Sequence, residues 1–347
     1  MTSRLFPEEI MIMIFKYFLT QDNFFHYRLV CSLWNSRISS IYLKDGLHIR
    51  LYESEMPKLV SDTSNSDRLA ETIYRIELLE DAKIIDKDYI RGPNHLEYFV
   101  KVVTACPNLV KLTLSMNHSA REYLELLVRE QINLPNISEI CFRSMFGFFN
   151  LDDRTLLVRL NLIYCNQITT LIFYQEGVDM EEFGGSYKFI SNFRNLKVLE
   201  VRSWDRNQKI DIARLMKACT PNLEVLRILA FRSVMNVDST SDSAINIKQF
   251  KSLKNIFFYI LSISRNALEF IMVNFKSLDF LRITTPPPSI RDNSNSLYKK
   301  GEAEPFFQEL ILYCKDITNS GISMMYEENQ ERKTFIIPSK RIAKQRV

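Results

Sequence analysis

The sequence predicts an α/β chain in which an amino-terminal helical module precedes a long strand-and-helix array. Three observations carry that reading. An apolar Leu-x-x-Leu-x-Leu pattern recurs eight times with starting positions 25 to 31 residues apart. Helical spacing fills the stretches between recurrences, and a Pro-Asn break repeatedly separates helix from strand. The chain has 347 residues, 46% apolar and 25% charged, which is globular composition with material for a sizeable core and no disordered or disulfide-scaffold signature.

In chain order, the first element is a helix opened by Pro7, whose missing N–H is harmless in a first turn. Glu8 and Glu9 behind it suit the positive end of the helix dipole. Ile10, Ile14, Phe15 and Phe18 recur at helical spacing, with Met11, Ile12 and Met13 filling in. Apolar residues therefore occupy more than one face, one able to pack at home and another available to a partner. After the polar break Thr20-Gln21-Asp22-Asn23, a second helical pattern carries Phe24, Tyr27, Leu29, Val30, Cys31 and Trp34. Residues 1–45 form this module, and 46–72 read as a linker with a first strand region. The Ser-, Asp- and Asn-rich stretch 54–68 is expected to be loop.

The array is expected over 73–330. Its recurrences are Leu109-x-x-Leu112-x-Leu114, Ile137-x-x-Ile140-x-Phe142, Ile168-x-x-Leu171-x-Phe173 and Leu196-x-x-Leu199-x-Val201. They continue with Leu223-x-x-Leu226-x-Ile228, Leu253-x-x-Ile256-x-Phe258, Leu278-x-x-Leu281-x-Ile283 and Phe307-x-x-Leu310-x-Leu312, while Ile73-x-x-Ile76-x-Leu78 is an irregular first member. Helices are expected over Leu96–Ala105, Glu122–Glu130, Ile212–Ala218 and Ala267–Val273. Turns fall at Cys106-Pro107-Asn108, Leu134-Pro135-Asn136 and Pro221-Asn222. Leu157-x-x-Leu160-x-Leu162 also fits the strand template, but the strand starting at Ile168 keeps the period. Residues 284–305 are too long for a routine connection and read as an insertion. From Arg332 onward there are six Lys or Arg and no acid, so 331–347 reads as a basic tail: a solvated end, or a nuclear signal or anionic contact.

Two resemblances follow. The segment from Leu5 to Ile38 resembles an F-box. It has Phe6-Pro7-Glu8-Glu9 at its opening, then the helical Ile10, Ile14, Phe15 and Phe18, then Leu29-Val30-Cys31 followed at the expected spacing by Trp34. Phe6 stands where a Leu is commoner, and Phe24 and Phe25 replace leucines. The resemblance implies a three-helix unit that docks on a Skp-family adaptor and through it joins a cullin-RING ubiquitin ligase, with Pro7, Ile10, Ile14 and Trp34 forming or supporting the interface. Packing within the segment is the alternative role for each. About three quarters of the chain, over 73–330, resembles the leucine-rich repeat family, whose period is about 20 to 29 residues. That resemblance implies a solenoid with a parallel sheet on the concave face and helices on the convex face, each unit burying its apolar surface against neighbours. The position that usually carries an asparagine or cysteine after the strand holds Asn117 once, then Met145, Glu176, Trp204 and Phe231.

Period-two alternation then sorts the outward-facing strand residues into columns. One column holds Thr113, Cys141, Ile172, Glu200, Arg227, Phe257, Arg282 and Ile311. Its neighbour holds Ser115, Arg143, Tyr174, Arg202, Leu229, Tyr259, Thr284 and Tyr313. Arg143, Arg202, Arg227 and Arg282 thus interleave with Tyr174, Phe257, Tyr259 and Tyr313, a composition suited to an acidic or phosphorylated segment of a target protein. A solvated inner face with no common ligand is the other reading.

Other function classes lack material. Glycine numbers 8 where average usage of about 7% would supply roughly 24. No G-x-G-x-x-G, G-x-x-x-x-G-K-[ST] or G-x-S-x-G occurs. Six scattered cysteines include no C-x-x-C pair, so they read as reduced buried thiols of a cytoplasmic or nuclear protein, with no metal site. His26, His48, His95 and His118 are isolated, and Glu8-Glu9 and Glu181-Glu182 are adjacent pairs, so no catalytic residue and no cofactor is assigned. Net charge +4 is too small to specify nucleic acid or membrane, Ile10–Phe15 is too short to span a bilayer, and no basic n-region runs into a small-residue cleavage site, so no signal peptide is expected. The expected function is that of a non-catalytic substrate receptor of a ubiquitin ligase feeding proteasomal degradation. The alternative is a repeat scaffold or adaptor that acts without ubiquitylation.

Overall fold

The computed structural model describes residues 46–65, 67–79, 94–115, 120–142, 151–175, 182–183, 185, 187–205, 209–237, 250–285, 296–298, 303–328 and 331–338. The chain divides into two compact units, Met1–Phe149 and Asn150–Val347. Both are mixed α/β, built on parallel sheets, and the described residues contain eight α-helices and no closed barrel. Pro7, Ile10, Ile14 and Trp34, with the whole amino-terminal helical module, lie outside the described residues.

The first unit contains β1 (Leu47–Tyr52), α1 (Met56–Ser64), α2 (Asp67–Thr72), β2 (Ile73–Leu79), α3 (His95–Ala105), β3 (Lys111–Ser115), α4 (Ala120–Glu130) and β4 (Glu139–Phe142). Its strands pair in sequence order, β1-β2-β3-β4, all parallel. The stretch expected to be loop is instead helical. Pro57 sits in the first turn of α1, and Met56, Leu59 and Thr63 form a buried stripe at helical spacing that the Ser- and Asp-rich composition concealed. The 46–72 region is therefore a strand followed by helices, the same order as the units after it, and not a linker. Gly46 turns the chain into β1 at φ +72°, where a side chain would run into the Tyr74 ring. Between sheet and helices lie Leu112, Leu114, Phe99, Leu124 and Tyr123, all within 1% of full burial. The Tyr123 hydroxyl donates to Glu53 Oε1 at 2.8 Å, so neither polar group is stranded in that core.

The second unit contains α5 (Leu151–Ile163), β5 (Thr170–Tyr174), a 3-10 turn (Lys188–Asn192), β6 (Val198–Arg202), β7 (Lys209–Asp211), α6 (Ile212–Ala218), β8 (Val225–Asn236) and β9 (Asn255–Ile263). It continues with α7 (Arg265–Asn274), β10 (Phe280–Thr284), β11 (Ser296–Tyr298), α8 (Ala303–Lys315), β12 (Asn319–Glu328) and β13 (Glu331–Ile337). Its sheet runs β11-β12-β10-β9-β8-β6-β5, with β7 on β8 and β13 on β12. All pairings are parallel except β12 with β13. Two helices begin on well-formed caps. Asp211 Oδ1 accepts from the amides of Ala213 and Arg214, and Ser264 Oγ accepts from that of Ala267.

The expected helices α3, α4, α6 and α7 are present, and Leu157-x-x-Leu160-x-Leu162 lies in α5, which leaves the strand at Ile168 as expected. The last recurrence is a correction: Phe307-x-x-Leu310-x-Leu312 lies in α8, and the strand of that unit is β12. Phe306, Phe307, Leu310 and Cys314 are buried at i, i+3/i+4 and i+7 spacing, and Leu312, which a strand would bury, is 58% exposed. An apolar pair three residues apart belongs to both templates, so the motif alone could not choose. Tyr313 accordingly sits on a helix, where its hydroxyl donates to the Phe275 carbonyl at 2.6 Å. Ile311 leaves its column for the same reason. Part of the expected basic tail is strand, because 331–337 forms β13 and Phe335 stacks on Phe307 with centroids 4.1 Å apart.

The helix-to-strand turns are joined by a side-chain device. Asn108 Nδ2 donates to the Glu71 carbonyl at 2.8 Å, Asn136 Nδ2 to Pro107 at 3.0 Å and Asn195 Nδ2 to Asn166 at 2.7 Å. Each asparagine thus satisfies a carbonyl two residues before the preceding apolar recurrence, at the end of α2 for Glu71 and in a turn for Pro107 and Asn166.

Candidate target-binding face

Alternation along the strands of the second unit sends Leu199, Val201, Leu226, Ile228, Ile256, Phe258, Leu281 and Ile283 into the core and their neighbours to the opposite face. Strand register aligns those neighbours into rows. Ile172, Glu200, Arg227, Phe257, Arg282 and Gly321 are successive partners, as are Tyr174, Arg202, Leu229, Tyr259, Thr284 and Ser323. The columns read from the sequence are therefore in register from β5 to β10, and end on Gly321 and Ser323 instead of Ile311 and Tyr313. Arg143 lies outside the described residues.

Glu200 organises the middle of this face. It is only 5% exposed, and a buried carboxylate demands partners. Arg202 Nε donates to its Oε1 at 2.7 Å, and Arg227 Nη1 reaches its Oε2 at 3.5 Å. Arg202 Nη1 also donates to the Tyr174 hydroxyl at 2.9 Å. Burial by itself would pull the Arg202 pKa down, but Tyr174 and Glu200 outweigh it and hold the guanidinium above its ordinary value. The Tyr174 ring lies under two cations, Arg154 at 5.4 Å and Arg202 at 5.6 Å, and Arg227 sits 5.6 Å over Phe257. Phe257 in turn stacks on Phe280 at 4.5 Å.

Of the expected arginines that are described, Arg202 and Arg227 are thus committed to one internal carboxylate. Arg282, on β10, is exposed, and no carboxylate pairs with it among the described residues. Two further aromatics were not among the expected site residues: Trp204 stacks on Phe231 at 4.8 Å and 22°, and Phe231 meets the expected Tyr259 at 4.4 Å. Trp204 and Phe231 occupy the position that a leucine-rich pattern gives to asparagine or cysteine. Two aromatics at equivalent places in successive units were the available signal.

No cluster of three His, Cys, Asp or Glu able to hold a metal exists among the described residues. Cys106, Cys141, Cys219 and Cys314 are buried. Burial pushes the Cys106 thiol up to about 12 and Cys141 up to about 11, and raises Cys219 further, so these are poor nucleophiles. No described helix is long and apolar enough to cross a membrane. No family model matches this chain, and no curated protein sequence matches it.

Proposed function

We propose that this protein is the substrate-recognition subunit of an SCF-type ubiquitin ligase: an F-box docks a Skp-family adaptor, and a leucine-rich-repeat solenoid holds a target protein for ubiquitylation. The observation that carries the target-binding half is the face of the second sheet, where Glu200 fixes Arg202 and Arg227 among Tyr174, Phe257 and Tyr259. A braced set of guanidiniums and rings is pre-organised, so a ligand does not have to immobilise flexible side chains. The alternation of parallel strands and helices at the sequence period supports the repeat reading. The adaptor half rests on the Pro7 and Val30-Cys31-x-x-Trp34 pattern of the sequence.

In this reading the protein performs no chemistry itself. It brings the target to a charged conjugating enzyme, and rate enhancement comes from proximity. The target presents an acidic or phosphorylated segment, and the complex works in the cytoplasm or nucleus. The test is binding of the purified chain to a Skp-family adaptor, with Pro7→Ala, Ile10→Ala, Ile14→Ala as the control variant. Tight binding that the triple variant loses is the expected result. A folded chain that binds no adaptor would leave a repeat scaffold acting without ubiquitylation.

A further inference from the structure

The anion-reading residue on the sheet face need not be the most conspicuous one. Arg202 and Arg227 share Glu200, so their charge is partly spent inside the protein. Arg282 stands exposed in the same row, two strands from Arg227, with no carboxylate beside it among the described residues. Diagonally across from Arg282 is Tyr259, the last ring of the Trp204, Phe231 and Tyr259 ladder. Trp204 is 45% exposed, a large apolar area to leave in water.

The geometry of these four side chains matches an extended peptide. From β6 through β8 and β9 to β10 the ladder and Arg282 cross three strand spacings, about 14 Å at 4.8 Å each. The diagonal from a residue to the next strand's neighbour two places away is on the order of 7 Å. That is also about the separation of residues i and i+2 on one side of an extended chain. The cation at one end supplies the charge complementarity, and its fork suits carboxylate and phosphate alike.

We propose that Trp204, Phe231, Tyr259 and Arg282 together read a short extended segment of the target, an aliphatic side chain lying on the rings and an acidic group two residues away on Arg282. The Glu200 cluster is then a brace that holds the face in shape, and Arg282 is the contact that selects for negative charge. This inference rests on the target-binding reading of the face.

The test uses the full-length chain labelled with 5-fluorotryptophan, whose two indoles are Trp34 and Trp204, with the Trp204 resonance assigned from Trp204→Phe. The probes are pooled decapeptides that fix Leu and Glu at i and i+2 and are randomised elsewhere. Matched pools have Glu at i+1, Lys at i+2, or phosphoserine at i+2. The i+2 Glu or phosphoserine pool is expected to shift the Trp204 signal saturably, at least fivefold more tightly than the i+1 and Lys pools. Whichever acidic pool binds more tightly identifies carboxylate or phosphate as the preferred group. Arg282→Gln should weaken binding at least fivefold and Trp204→Ala at least tenfold, both surface changes that leave the core untouched. Absence of any shift, equal binding of the Lys pool, or unaltered binding by Arg282→Gln overturns the inference. Adaptor binding measured on the same preparation separates this failure from failure of the ligase reading, since the four residues lie far in sequence from Pro7, Ile10 and Ile14.

Discussion

The two units use the same strand geometry and put different chemistry on the face opposite their helices. In the first unit the outward rows are His48, Arg75, Lys111 and Glu139, and Arg50, Glu77, Thr113 and Cys141. These groups mostly answer one another. Glu77 accepts from Ser115 Oγ at 2.8 Å and pairs with Arg50 at 3.4 Å, Lys111 pairs with Glu139 at 2.6 Å, and Thr113 meets Cys141 at 3.3 Å. In the second unit the rows carry rings, a cation without a carboxylate beside it, and an exposed tryptophan. The backbone period makes both faces possible, and only the side chains decide that one pairs mostly within itself while the other keeps an exposed cation and an exposed tryptophan.

The comparison can be broken or sharpened experimentally, beginning with what the units ought to share. Leu112→Ala in the first and Leu199→Ala in the second remove fully buried side chains at equivalent strand positions, and each should cost about 3 kcal/mol in urea unfolding. A much smaller loss in one would mean that its core can collapse around the cavity. Next comes the brace: Glu200→Ala leaves two guanidiniums without their common carboxylate and should cost about 2 kcal/mol. That is below the usual range for a broken buried pair because Arg227 is half exposed. Glu77→Ala should cost less, since its Arg50 and His48 partners are both half exposed.

Alkaline pH probes burial directly. Cys106, Cys141 and Tyr164 have folded-state pKa values raised to about 12, 11 and 12, by burial in each case and, for Cys141, by Glu139 as well. Their stabilising contribution is intact below the unfolded values and is lost as pH climbs through the folded ones. Between pH 9 and 11 each thiol should therefore subtract about 1 kcal/mol per pH unit, read as a falling urea midpoint. The smallest effect belongs to Arg75→Ala on the exposed face of the first unit. It should change stability by less than about 0.5 kcal/mol and leave acidic-peptide binding as it was. A clear loss of peptide binding there would erase the contrast between the faces.

Much of this was readable in the sequence. The last two apolar positions of the recurrences ending at Leu114, Phe142, Phe173, Val201, Ile228, Phe258 and Ile283 all lie on strands, because apolar residues at i, i+3 and i+5 suit a tight bend followed by a buried strand. The miss at Phe307 has a physical origin, since burial at i and i+3 is common to a helix and to the bend-plus-strand motif. The helix over 56–64 was hidden because only Met56, Leu59 and Thr63 face inward, too few apolar residues to stand out among Ser and Asp. At the site, period two placed Tyr174, Arg202, Arg227, Phe257, Tyr259 and Arg282 on one face. It could not show that Glu200 engages two of the arginines, Arg202 on its own strand and Arg227 on the next, or that Trp204 and Phe231 stack, because alternation sorts residues onto a face without saying which side chains touch.

The asparagines of the helix-to-strand turns carry an evolutionary consequence. Because Asn108, Asn136 and Asn195 each reach back to the helix-to-strand junction before, every linked junction depends on its successor for one hydrogen bond. A gain or loss of a whole period by gene duplication or deletion preserves that hand-over, since the incoming asparagine finds an equivalent carbonyl. A break inside a period leaves a carbonyl with no donor and costs about 1 kcal/mol or more at the scar. Such a lineage can change its length in whole-unit steps far more cheaply than in fractions of one.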